Sequence, residues 1–239
     1  MGELLAELFD FLKNRRKVKM KFEKYGFYKI DIDYLEFLHS RDKQVFYSDV
    51  EEYVKKPHLG ILTQIGDMKY CIPLTSAKTK HLGWTNTSRH NLVIYEMVNS
   101  SSVRKKDICK RIGNTEIYKR ILAVLEIGKM IPIKEGLYEY INFNDVENSF
   151  YRSLLKSEYR FLKLREQSIL KKAVALYSKQ KSTGIVEACY CDFEVLEKAC
   201  NEYSQVLKWE KADNQTVETV ALSILQRYAI AFEEMAKVS

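Results

Sequence analysis

Two short apolar runs and the turn between them constrain this chain most. Residues 58–65 read HLGILTQI, residues 68–74 read MKYCIPL, and Gly66-Asp67 separates them. Paired apolar runs around a two-residue Gly-Asp turn predict an antiparallel hairpin. Pro73 closes the second run, and the chain is expected to open there into a loop, TSAKTKH, over residues 75–81. That loop gathers the hydroxyls of Thr75, Ser76 and Thr79, the ammonium groups of Lys78 and Lys80, and the imidazole of His81. In an antiparallel hairpin the start of one strand lies beside the end of the next. Lys56 is therefore expected at the same end of the sheet as the loop.

These groups suit phosphodiester chemistry. Lysines and hydroxyls hold a phosphate and stabilise the charge that grows on it in the transition state. A histidine, or a lysine of lowered pKa, moves protons. Asp67 is the one carboxylate between residues 56 and 81, too few for a two-metal nuclease, so neither metal nor cofactor is expected. The plainer reading of the same residues is a solvated polar turn after a strand.

The stretch resembles the ToxN/AbiQ family, ribonuclease toxins of type III toxin–antitoxin and phage-abortive systems. The resemblance rests on Lys56, Leu59-Gly60-Ile61, Tyr70, Pro73-Leu74-Thr75-Ser76, Lys78 and His81. Ala77 stands where the family usually has proline, and Tyr53 lies three residues before Lys56 rather than four. The resemblance implies an α+β fold, a twisted antiparallel sheet partly closed into a barrel like that of the Kid/MazF toxins and surrounded by helices. It implies Lys56, Thr75, Ser76, Lys78 and His81 as catalytic residues, with Tyr53, Lys55, Lys80, Tyr151, Lys156 and Glu158 along an RNA groove. Glu158 occupies a position where glutamine is common in the family; as a carboxylate it is read either as a general base or as an ion-pair partner of a lysine.

Composition agrees with a polyanionic partner. The 239 residues carry a formal charge of +7 and a pI near 9.0, which points to nucleic acid, with plain solubility as the alternative. Three prolines and nine glycines argue against long disordered linkers. Five cysteines, an odd number without a CxxC pair, argue against a disulfide framework and against a zinc site. With no signal peptide and no apolar run long enough to span a membrane, a cytoplasmic protein is expected.

Along the chain, residues 3–14 place Leu4, Leu5, Leu8, Phe9 and Leu12 at helical spacing. Lys17, Lys19 and Lys21 then alternate with Val18, Met20 and Phe22, a strand whose basic face either follows a phosphate backbone or guards an edge. Residues 27–30 read as a strand, followed by a helix capped by Asp31 or Asp33. Further strands are expected over 91–97, 118–127, 130–133 and 136–143. Residues 99–117 read as an insertion, either a short basic helix over 103–111 or a solvated excursion. One long helix is expected over 148–177, with Phe150, Leu154, Phe161 and Leu164 on its main apolar face and Tyr151, Leu155 and Leu162 beside it. Asp192 is a candidate cap for a closing segment. Val217, Ala221, Ile224, Tyr228, Ala231 and Met235 form a final apolar seam. The expected division is a terminal extension over 1–26, a toxin domain over 27–203 and a helical extension over 204–239.

The function implied is a metal-independent, sequence-specific endoribonuclease toxin leaving 2′,3′-cyclic phosphate and 5′-hydroxyl ends on cellular and phage RNA. Its implied partner is a repeat-derived, pseudoknotted antitoxin RNA that it processes and with which it forms a closed assembly. Two other readings stand beside it: a non-catalytic RNA-binding module on the same fold, and a protein-interaction module.

Overall fold

The computed structural model describes residues 26–47, 59–65, 67–205 and 219. Tyr53, Lys55, Lys56, the N-terminal helix and basic strand, and the seam over 217–235 (Thr219 apart) lie outside the described residues.

Strand β3, Met68–Ser76, organises the sheet. Over residues 68–73 it pairs with β2, Leu59–Ile65, as the hairpin pattern predicts. At Pro73, which has no amide hydrogen to give, the partner changes. Leu74, Thr75 and Ser76 pair instead with Leu125, Val124 and Ala123 of a later strand. The expected loop therefore begins two residues late. Thr75 and Ser76 are the last two residues of the strand, because a second partner extends the pairing that the first gives up.

The remaining strands follow from these two pairings. Strand β1, Phe27–Ile30, pairs with β2 on one side and with β8, Tyr138–Tyr140, on the other. Strand β4, Leu92–Asn99, runs the length of β6, Ile117–Leu125. Strand β7, Ile131–Ile133, pairs with β3 at residues 69–71. Among the described residues all pairs are antiparallel, and β4 and β8 stand at the two ends of the path, so no described pairing closes the sheet.

The insertion is not a helix. Residues 108–111 form strand β5, which pairs with Ile121 to Tyr118 of β6 through a turn at Gly113, a residue held at a φ of 54°. Because β3 pairs with residues 123–125 of β6 and β5 with residues 118–121, the two strands meet end to end along one edge of β6.

Helix α1, Ile32–Arg41, is capped by Asp31, whose Oδ1 accepts from the Tyr34 amide at 2.9 Å. The expected long helix is two: α2, Ser149–Lys163, and α3, Glu166–Thr183. Arg165 marks the break. Its guanidinium lies 3.6 Å from the Phe161 ring centroid and donates to the Phe161 carbonyl, taking one of the acceptors freed at the end of α2. Gly184, at a φ of 65°, ends α3 in the left-handed conformation open to glycine. Helix α4, described over residues 193–205, is capped by Asp192, which accepts from the Glu194 and Val195 amides.

The main core lies between the sheet and these helices, with Phe27, Tyr28, Tyr34, Leu62, Ile72 and Phe193 fully buried. Glycine is required at position 60, where a Cβ would meet the Cys71 sulfur at 2.1 Å and the Ile72 carbonyl at 2.8 Å. All five cysteines are free.

Candidate active site

Three features hold the 75–84 segment in place. The first is the pairing of Thr75 and Ser76 with β6. The second is a small apolar cluster: Val93, Ile121 and Val124 form its buried centre, and Ala77, Leu82, Trp84 and Ile108 pack on it. The third is a 3-10 turn over Thr79–Gly83. A freely solvated turn would need none of these. Ser76 and Lys78 are exposed on this anchored segment, and Thr75 is half-buried between them and the core.

His81 builds the turn. It is 1% exposed, its Nδ1 accepts from the Lys78 amide at 3.1 Å, and its own amide donates to the Lys78 carbonyl at 2.9 Å. Its ring lies 4.6 Å from that of Trp84. An Nδ1 that accepts carries no proton, so the neutral ring places its hydrogen on Nε2. Burial, and then the charges of Lys80 and Lys78, hold its pKa below the usual 6.5.

We expect His81→Asn, which keeps an acceptor near the Nδ1 position, to preserve the fold. His81→Ala should lose about 1–3 kcal/mol, because the Lys78 amide then loses its partner and the buried ring leaves a gap. The pH dependence has a fixed sign. The native state favours the neutral ring, so stability is present above pH 6.5 and falls as the pH drops through the lowered native value. Thermal melts of the parent and His81→Asn across pH 5–8 check this, since the asparagine variant should lack that acid-side loss.

One carboxylate joins the segment that the sequence did not announce. Glu126 follows β6, and its amide donates to the Pro73 carbonyl at 3.0 Å. Its side chain lies near Thr75, whose hydroxyl points to the Val124 carbonyl at 3.5 Å, and faces Lys80, Lys129 and His90. Burial raises its pKa, and Lys80, Lys129 and His90 pull the other way. Forty-nine positions separate Val124 from its partner Thr75. Only the pairing register brings Glu126 here, and no local pattern near residue 126 marks it.

The groove candidates divide. Lys80 is exposed, its Nζ 5.6 Å from the Trp84 ring centroid. Lys156 faces outward from α2. Glu158 points inward and is 5% exposed; burial pushes its carboxyl up to about 8, and Tyr151, one heptad earlier, is half-buried near it. No lysine pairs with Glu158 among the described residues. The buried stripe of α2 is Leu155, Glu158, Phe161 and Leu162. Phe150 and Leu164, assigned to the main face from spacing, are 57% and 84% exposed. The charged residue inside the true stripe is what displaced the assignment.

Residues 26–201 match the family model described as Toxin ToxN, type III toxin-antitoxin system. The chain belongs to the ToxN family. Among curated relatives, Endoribonuclease ToxN of Bacillus thuringiensis subsp. kurstaki is 24% identical over 188 residues, covering 75% of this chain and 84% of the relative. Endoribonuclease ToxN of Pectobacterium atrosepticum is 25% identical over 185 residues, covering 75% of this chain and 94% of the relative. The fold is likewise that of solved ToxN-family structures. A chain from work on selective toxin inhibition by a non-coding RNA pseudoknot superposes with a TM-score of 0.57 at 22% identity, covering 76% of this chain and 99% of that one. AbiQ, a lactococcal anti-phage endoribonuclease belonging to the type III toxin–antitoxin system, gives a TM-score of 0.55 at 17% identity, with 77% and 99% covered.

Proposed function

We propose that this ToxN-family protein is an endoribonuclease toxin acting at the end of β3. The observation that carries the proposal is the presentation of Ser76 and Lys78 to solvent from a strand end and turn that are otherwise packed and paired. The substrate's 2′-hydroxyl gives its proton to His81 or to one of the lysines, and its oxygen attacks the adjacent phosphorus. The bond from phosphorus to the 5′-oxygen breaks and that oxygen takes up a proton, leaving a 2′,3′-cyclic phosphate and a 5′-hydroxyl. Lys78 and Lys56 stabilise the charge on the phosphoryl oxygens, and Ser76 and Thr75 orient the group by hydrogen bonds. Glu126 lies beside Thr75 and sets a negative charge near Lys80. His81 keeps Nε2 as its one remaining polar atom and otherwise positions Lys78. Tyr53, Lys55, Lys80, Tyr151 and Lys156 extend the RNA-binding surface; Glu158 borders it as a neutral acid at pH 7.

The relatives are named endoribonucleases, and one solved relative is inhibited by an RNA pseudoknot. These support a repeat-derived, pseudoknotted antitoxin RNA as the partner here, assembled with the toxin and cut by it from a precursor. Among the described residues no helix is long and apolar enough to cross a membrane, which supports our placing of the protein in the cytoplasm.

The test is cleavage of single-stranded RNA by the purified protein in EDTA, with the ends identified by mass. We expect cyclic phosphate ends, and no reaction when the nucleotide at the cut carries a single 2′-deoxy substitution. Cutting of the deoxy substrate, or a strict need for added divalent metal, would overturn the mechanism.

A further inference from the structure

The insertion and helix α2 enclose a cavity of about 350 Å³ beside the candidate active site. Ala77, the residue between Ser76 and Lys78, forms one wall. Phe150, Ser153 and Ser157 of α2 form another, and Arg104 and Lys106 of the insertion a third. We infer that this cavity is a nucleotide subsite, taking one base of single-stranded RNA next to the scissile phosphate.

Four observations carry this. The volume lies at the lower end of the about 300–1,000 Å³ typical of small-ligand sites. Phe150 is an aromatic ring left 57% exposed, with the Arg104 guanidinium 4.8 Å from its centroid. A ring and a guanidinium are the two surfaces on which unpaired bases stack. The charge available to a ligand is also positive. Both lining carboxylates, Glu96 and Asp107, are already bonded to Arg120, Asp107 at 3.0 Å. Neither Arg104 nor Lys106 makes an ion pair among the described residues, although Arg104 lies close enough to Asp107 to help lower its pKa. Finally, the cavity is built. Arg120 donates to Asp107 and to the Ser102 carbonyl, and Asp107 accepts from the Arg104 amide at 3.0 Å. The root of the insertion is thereby tied to β6 with Arg104 turned toward Phe150. The meeting of β3 and β5 along β6 fixes how far this subsite stands from Ser76.

The inference rests on the proposed ribonuclease function, and the experiment separates the two. A short single-stranded RNA spanning a mapped cut site is made with 2′-deoxy at the cut, so that it binds without reacting. Abasic nucleotides are then placed at each position in turn. Fluorescence anisotropy measures binding to the parent, Phe150→Ala and Arg104→Ala. Phe150→Ala should weaken binding about tenfold, the scale of one base–aromatic stack. One abasic position next to the cut should cost the parent the same factor and cost Phe150→Ala almost nothing. On cleavable RNA, KM should rise while kcat holds, and base preference at that position should relax.

Parent-like binding and cut-site choice in both variants would overturn the subsite and leave the ribonuclease intact. So would losses from Phe150→Ala and every abasic position that simply multiply. A parent protein that binds no RNA would overturn both. Lys106→Ala, which leaves the Phe150 ring in place, guards against a folding effect, and its binding should become less dependent on salt.

Discussion

Ser76→Ala and Lys78→Ala should each slow RNA cleavage by on the order of 100-fold or more, while their melting temperatures stay with the parent's. The size follows from what the proposed mechanism would lose, a hydrogen bond or a charge aimed at a phosphoryl group in its transition state. The lack of a stability effect follows from exposure, since neither side chain belongs to the core and the backbone pairing of Ser76 with Ala123 survives the change. Lys56→Ala should behave alike. Its like charge has reason to share the site only if one anion offsets both ammonium groups. A growth assay paired with melts of each purified variant decides the matter. Toxic, normally cleaving variants at all three positions would sink this assignment, and so would loss of activity that merely tracked unfolding.

The second large effect is expected in stability. Glu158→Gln should make the protein more stable at pH 8 by on the order of 2–4 kcal/mol, raising the melting temperature by about 5 °C or more. The native carboxyl titrates near 8 and the unfolded one near 4.5. Between those values the native state holds a proton that the unfolded chain gives up, so the parent loses stability as pH rises through that window. Glutamine does not titrate. The advantage of the variant should therefore vanish below about pH 4.5 and level off above about 8. A pH-independent gain, or none, would show that burial does not control this carboxyl. If the variant also cleaves at the parent's rate at pH 7, the proton on Glu158 plays no part in the reaction.

What was legible in the sequence was local. The two apolar runs around Gly66-Asp67 marked the β2–β3 hairpin, and Asp31 and Asp192 marked helix starts by chemistry that acts over a few residues. The candidate segment was also readable, since its hydroxyls and lysines stand together in the chain. What was hidden depended on distant partners. Thr75 and Ser76 are strand residues because β6 lies beside them. Residues 103–111 lack a clear period, and it is β6 again that makes Ile108–Arg111 a strand. Glu126 reaches Thr75 through the same register. The break between α2 and α3 has neither glycine nor proline to signal it, and rests on a contact of Arg165 with Phe161.

The end-to-end meeting of β3 and β5 on β6 has an evolutionary consequence. A strand that docks beyond another on a shared neighbour adds surface without moving what was there before. Mutations in the tip, Gly113 to Glu116, touch neither the Ser76 pairing nor the main core. The hairpin is thus a cassette that selection can lengthen, recharge or exchange while Ser76 and Lys78 keep their places.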